Sequence, residues 1–154
     1  MSKISVILPI CNEVENLDPL LNELDSMLKA NAFNFEIICV DDGSTDGSRE
    51  LLVARARIMP ELKVILFRRN YGQTAAFDAG FRAASGDVIL SMDSDRQYDV
   101  VDIPRMIKMV TQENYDFVSG WRKNRKDNVF IPVSYTHLRA HETKANLVCR
   151  LLLE

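Results

Sequence analysis

Two carboxylates stand two residues apart at Asp93 and Asp95, directly after the apolar run Val88–Met92. Past the end of a buried strand, that spacing lets both turn toward one hard divalent cation. Mg2+ or Mn2+ suits such oxygen ligands and commonly bridges carboxylates to substrate phosphates. Gln97, two residues further on, can add a carbonyl oxygen or hold a water. Taken alone, the same triplet also reads as a solvated acidic turn before a helix.

A second acidic turn, Asp41-Asp42-Gly43-Ser44-Thr45-Asp46-Gly47, has the same double meaning. Gly43 permits a positive φ and Thr45 or Asp46 can cap the next helix, which leaves Asp41 and Asp42 to accept hydrogen bonds from a nucleoside base or ribose. Asn70-Tyr71-Gly72-Gln73 sets a small residue and two amides at another helix start, a place that suits an anion and equally a plain cap. Gly120-Trp121-Arg122-Lys123-Asn124-Arg125-Lys126 gathers four cations in an otherwise acidic chain. Such a run is a solvated loop or, through Arg122 and Arg125, a grip on phosphate, which the guanidinium fork matches.

The apolar pattern supplies what brings these segments together. Ile4–Leu8, Ile37–Val40, Val64–Phe67 and Val88–Met92 are short, nearly continuous apolar runs, as expected of strands buried on both faces of a parallel sheet, and Phe117–Ser119 is a candidate fifth. Leu17, Leu20, Leu21, Leu24, Met27 and Leu28 follow the spacing of one helical face, and Ile103, Met106, Ile107 and Val110 repeat it, with Asp102 as N-cap and Pro104 in the first turn. Leu51–Ile58 and Gln73–Ala84 complete the helices. Alternating strands and helices predict a doubly wound, mostly parallel α/β sandwich. Ligands in such folds bind beyond the carboxyl ends of the strands, and every predicted strand is followed there by polar or charged residues.

Composition narrows the class. The 154 residues are 47% hydrophobic and 27% charged with a formal charge of −3, which predicts one globular domain able to bury a core. That mildly acidic balance argues against a general nucleic-acid binder. No apolar run approaches the roughly 20 residues of a membrane span, and Met1-Ser2-Lys3 leads straight into the first strand without a secretory pattern. A soluble segment in a reducing cytoplasm is therefore expected. Cys11, Cys39 and Cys149 lie far apart and form no CxxC pair, so neither a disulfide framework nor a zinc site is expected.

The last stretch breaks with this pattern. Val133–Thr143 (VSYTHLRAHET) resembles a translated frame of a sequencing-library adapter, and Asn146–Glu154 (NLVCRLLLE) the matching primer. Residues 1–131 are accordingly expected to be the native, C-terminally truncated part of a nucleotide-sugar-binding domain, and residues 132–154 a non-native tail to be left out of fold reasoning. On this reading His137 and His141, spaced like a metal pair, carry no chemistry, and the native part holds no histidine to serve as the base of a nucleophilic hydrolase. P-loop, dinucleotide-binding and nucleophile-elbow glycine motifs are all absent.

Five segments in order, Ser5–Glu13 (SVILPICNE), Val40–Gly47 (VDDGSTDG), Arg69–Ala76 (RNYGQTAA), Met92–Gln97 (MDSDRQ) and Ser119–Arg125 (SGWRKNR), resemble family 2 glycosyltransferases. The resemblance is to the dolichol-phosphate mannosyltransferase and polyprenyl-phosphate sugar transferase branch and spans essentially residues 4–127. It implies a Rossmann-like GT-A fold, a UDP- or GDP-sugar donor, Mg2+ or Mn2+, inversion at the sugar carbon and a polyprenyl-phosphate acceptor. Position by position it implies that Pro9, Asn12 and Glu13 contact the nucleotide, with Asp41 and Asp42 at the nucleoside. It further implies that Asn70, Gly72 and Gln73 line the donor site, that Asp93, Asp95 and Gln97 hold the metal, and that Arg122 and Arg125 meet the acceptor phosphate. Arg96 and Tyr98-Asp99-Val100 depart from the family pattern around the metal loop. The branch also implies work at the cytoplasmic face of a membrane, contacted through the missing C-terminal part.

Two rivals share parts of this reading. A nucleotidyltransferase that makes sugar nucleotides wants a basic, glycine-rich loop after the first strand, where this chain has Cys11-Asn12-Glu13. An inactive nucleotide-sugar-binding fragment would keep the nucleoside loop and transfer nothing.

Overall fold

The computed structural model describes residues 2–95, 100–113, 115–120 and, as backbone, 147–150. In chain order the elements are β1 (Lys3–Ile10), α1 (Val14–Ala30), β2 (Asn34–Asp41), α2 (Ser48–Ala56), β3 (Leu62–Leu66), α3 (Gln73–Ala83), β4 (Val88–Ser91), a 3-10 turn (Val100–Asp102), α4 (Ile103–Gln112), β5 (Phe117–Ser119) and β6 (Leu147–Arg150). The sheet order is β3-β2-β1-β4-β6-β5. Strands β1 to β4 pair in parallel, and β6 runs antiparallel to both its neighbours. The chain winds from β1 outward to β3 and then returns to β4 on the other side of β1. The crevice beyond the carboxyl ends of β1 and β4 is therefore the point where the winding reverses, the expected ligand position in an open α/β sheet.

The doubly wound sandwich predicted from the apolar runs is present. Ile4, Val6, Leu8 and Ile10 of β1 pack with Leu17, Leu20, Leu21 and Leu24 of α1, Leu52 of α2 and Ile103, Met106 and Ile107 of α4 in one core. On the opposite face α3 lies over Ile38 and Val40 with Ala76, Ala79 and Ala83. Small residues let α3 approach closely, and a Cβ at Gly80 would collide with the side chain of Ile7. This alternation of inward directions along β1 is the period of two expected of a strand.

Three differences from the sequence reading have physical causes. Helix α2 begins at Ser48, three residues before Leu51, because Asp46 accepts the Ser48 N–H at 3.0 Å and satisfies the helix start. Asp102, expected as the side-chain cap of α4, instead lies in the 3-10 turn with helical backbone angles and makes no capping bond. Leu147–Arg150, assigned to the tail, pairs with both β4 and β5 through backbone groups that any sequence carries.

At the amino end of the sheet Glu36 is buried with its carboxylate fully engaged. Oε1 accepts the Ser5 hydroxyl at 2.6 Å, the Ser85 N–H at 2.7 Å and the Ser85 hydroxyl at 2.9 Å. Oε2 meets Lys3 Nζ at 3.0 Å and Lys63 Nζ at 2.7 Å. Burial alone would raise the carboxyl pKa, but the bonds from Lys63, Ser5, Ser85 and Lys3 outweigh it and hold the group well below its ordinary value.

Candidate functional site

The loops after β1 and β2 are knitted into one unit. Asn12 adopts a left-handed φ of 57° and its Oδ1 accepts the Thr45 N–H at 2.8 Å, while its own N–H donates to Ser44 Oγ at 3.0 Å. Glu13 N–H donates to Ser48 Oγ at 3.0 Å. Asp46 takes the first N–H of two helices, Val14 of α1 and Ser48 of α2, each at 3.0 Å. Desolvation would raise the Asp46 pKa, yet the Ser48 hydroxyl and these two backbone donors lower it. The capping role foreseen for Thr45 or Asp46 thus falls to Asp46.

The two aspartates of the acidic turn, expected at the nucleoside, both accept hydrogen bonds from the protein. Asp41 is fully buried; Oδ2 takes Arg49 Nε at 2.8 Å and Nη2 at 2.7 Å, and Oδ1 takes the Ser44 N–H at 3.1 Å. The same guanidinium reaches the carbonyl oxygen of Phe67 and so binds the end of β3 to the turn. Asp42 accepts the Tyr71 N–H at 2.6 Å and the Gly72 N–H at 2.9 Å. Its carboxylate shapes the loop before α3, and Gly43 supports that loop from below, with φ 75° and no room for a Cβ against the Arg69–Asn70 backbone. Tyr71, half-exposed, packs edge-on to Phe67 with the Arg69 guanidinium over its ring.

These contacts frame a cavity of about 310 Å³ at the winding reversal, lined by Pro9, Ile10, Cys11, Glu13, Asp42, Asn70, Gly72, Gln73, Asp93, Ser94 and Asp95. That volume lies at the small end of ligand pockets. Eight residues named from the sequence meet there: Pro9, Glu13, Asp42, Asn70, Gly72, Gln73, Asp93 and Asp95. Asn12 and Asp41 do not line it, because their side chains hold the loops. Gln97, Arg122 and Arg125 lie outside the described residues. Sequence reasoning missed Ile10, Cys11 and Ser94, whose only signal was their position between motif residues, and it missed Arg49, which stands in the first turn after the acidic motif. Asn70 Nδ2 donates to Cys11 Sγ at 3.3 Å across the cavity floor. Ser94 is buried and donates to the Pro9 carbonyl at 3.1 Å, which ties the two aspartates to the end of β1. Cys39, by contrast, is buried in the core and its thiol pKa is pushed up to about 12 by desolvation, which makes it inert.

The donor set suits a hard cation. Asp93 and Asp95 are half-buried carboxylates on one wall, and Gln73 at the start of α3 donates its amide to Asp93 Oδ1 at 2.5 Å. Among the described residues no group of three or more His, Cys, Asp or Glu side chains is arranged to hold a metal. A cation at Asp93 and Asp95 would therefore complete its shell with ligand and water oxygens, which is how Mg2+ and its relatives sit beside phosphates. Among the described residues no helix is long and apolar enough to cross a membrane.

Comparison with known proteins shows the family and the fold. A family model described as glycosyl transferase family 2 matches residues 5–150. The chain is 42% identical over 132 residues to the undecaprenyl-phosphate 4-deoxy-4-formamido-L-arabinose transferase of Yersinia pestis (strain Pestoides F), covering 84% of this chain and 40% of that protein. It is 39% identical over 132 residues to the dodecaprenyl-phosphate galacturonate synthase of Rhizobium johnstonii, covering 84% and 38%. The chain thus spans about two-fifths of the length of the curated relatives it matches. A mannosyltransferase of Pyrobaculum calidifontis, solved with GDP-Man and Mn2+, shares the fold with a TM-score of 0.73 at 20% identity, over 97% of this chain and 44% of that one. TarS residues 1–349 of S. aureus, solved with UDP-GlcNAc, gives a TM-score of 0.63 at 25% identity over 82% and 37%. The shared architecture is the GT-A fold.

Proposed function

This chain belongs to glycosyl transferase family 2, and from that premise we propose that its parent moves a sugar, with inversion, from a UDP- or GDP-sugar to a polyprenyl or dolichyl phosphate. The observation that carries the reading is one cavity at the winding reversal with a loop wall of Asp42, Asn70 and Gly72 facing a carboxylate wall of Asp93 and Asp95. The named substrates of the Yersinia and Rhizobium relatives support the acceptor class, and the GDP-Man and UDP-GlcNAc in the two solved neighbours support the donor class.

In this reading Asp93 and Asp95, with Gln97, hold Mg2+ or Mn2+. Such a cation, held by these residues, would supply stabilisation of the negative charge on the leaving nucleoside diphosphate. Pro9 and Glu13 line the nucleotide side, and Asp42 presents the loop of Asn70, Gly72 and Gln73 to the donor. A lipid phosphate is already ionised near pH 7, so its oxygen attacks without a side-chain base; Arg122 and Arg125 hold it in place. The parent works at the cytoplasmic face of the membrane.

We assign residues 132–154 to a translated adapter rather than to the native protein, on the resemblance of VSYTHLRAHET and NLVCRLLLE to adapter and primer. Resequencing the source DNA across codons 125–140 tests this, and an uninterrupted native frame through Glu154 refutes it.

The function is tested by calorimetry with UDP and GDP, with and without Mn2+, followed by transfer of radiolabelled sugar to polyprenyl phosphate by the intact parent. Metal-dependent nucleotide binding and a labelled lipid product are expected. Pyrophosphate release from a nucleoside triphosphate and a sugar phosphate would indicate a nucleotidyltransferase instead. Nucleotide binding without transfer or donor hydrolysis would mark a binder.

A further inference from the structure

Gln73 is held from both directions. Its backbone opens α3, whose seat is set by the close contact of Gly80 with Ile7, and the loop before it is pinned by the Asp42 carboxylate on the N–H groups of Tyr71 and Gly72. From this fixed base its side chain crosses the cavity and its amide donates to Asp93 Oδ1 at 2.5 Å. A neutral amide thus links the loop wall to the carboxylate wall.

We infer that Gln73 is a positioning latch: its amide competes with the cation for Asp93 and, once displaced, turns its donor to the nucleoside diphosphate. The inference rests on the metal reading above and adds a coupling between the two ligands. A carboxylate oxygen that accepts an N–H must give up or share that bond when a cation takes it, so metal entering alone loses part of its gain. The freed amide then faces the cavity from a helix start, where N–H donors are suited to phosphate oxygens. Metal binding therefore prepares the loop wall for the nucleotide, and by linkage the nucleotide raises metal affinity by the same factor. Asp42 acts through this loop as well, which gives its buried carboxylate a part in donor binding through the Tyr71 and Gly72 N–H groups it holds.

The test is a set of calorimetric titrations of the chain with Mn2+ alone, with UDP or GDP alone, and with Mn2+ at saturating nucleotide, in wild type, Gln73→Ala and Gln73→Glu. Because Gln73 is exposed, both variants are expected to melt with the wild type, which thermal denaturation checks. In Gln73→Ala, Mn2+ alone binds about threefold to tenfold tighter, and the factor by which nucleotide strengthens Mn2+ binding falls about tenfold, the loss of one hydrogen bond to a charged group. Gln73→Glu also tightens Mn2+ alone but weakens nucleotide, since a carboxylate cannot donate and repels phosphate. A coupling factor within twofold of wild type in Gln73→Ala overturns the latch while leaving metal binding intact. A wild-type chain that takes up no Mn2+ with either nucleotide overturns the latch together with the reading it rests on.

Discussion

The two ends of the sheet use acids in opposite ways. At the amino end Glu36 is buried among five donors from β1, β3 and the turn before β4, and nothing of its carboxylate is left for a ligand. At the carboxyl end Asp41 is equally absorbed by Arg49, but Asp93 and Asp95 stand half-buried on a cavity wall. A carboxylate that is buried and saturated by fixed protein donors holds strands together. One that stays partly hydrated at the rim can exchange its partners. The same sequence signal, an acid beside an apolar run, thus divides into two roles by depth and partners.

The strongest way to break this contrast is Asp95→Ala in the intact parent. Transfer is expected to fall by at least about a thousandfold, the scale of removing a principal electrostatic stabiliser, while the thermal midpoint stays near wild type. A mutant that keeps full activity in excess EDTA would remove the metal from the reading. Glu36→Ala should show the converse. Loss of the acceptor strands two lysines and two serines, and urea unfolding should report a loss of about 3 kcal/mol, kept at the lower end because Lys3 and Lys63 remain partly hydrated. Nucleotide binding at the far rim should persist.

Acid titration sharpens the same point. The Glu36 carboxyl is held below its ordinary value of 4.5, so its contribution to stability is fully present above that pH and is lost as pH falls through the lower folded-state value. Urea midpoints measured downward from pH 5 should fall more steeply for wild type than for Glu36→Gln, which has no proton to take up there; parallel curves would deny Glu36 this role. The smallest effect is expected at Asp46, where Asp46→Ala removes the cap of two helices. It should cost about 1–2 kcal/mol by the same unfolding measurement, with little change in Mn2+ affinity.

Much of the fold was legible because its strands are buried on both faces and its helices carry single apolar stripes. Ile37–Val40 and Leu17–Leu28 announce β2 and α1 without help from the rest of the chain. The gathering of Asp42, Asn70, Gly72, Asp93 and Asp95 also followed, since each stands just past a strand in a sheet that sends all such ends to one side. What did not follow was partnership. Asp41 and Asp42 are neighbours of the same type, yet one is claimed by Arg49 from the next helix and the other by two backbone N–H groups from across a crossover. Pairings of that kind depend on side-chain direction at the strand end, which alternates with every residue. Asn12 escaped for a related reason: its left-handed turn directs the amide into Thr45 rather than toward the cavity. Glu36 had a signal, an acid set between the apolar residues Phe35 and Ile37, but its lysine partners come from two other strands.

The tight seat of α3 against β1 sets a gauge for the whole site. Because Gly80 leaves no slack over Ile7, that helix cannot come closer to the sheet, and this contact sets the least distance from its first residue to the tip of β4, like the stop of a caliper. Replacing Gly80 by alanine would widen that gap by prying the helix outward, and it would retune the separation between the opposed walls without altering a single residue that meets the ligand.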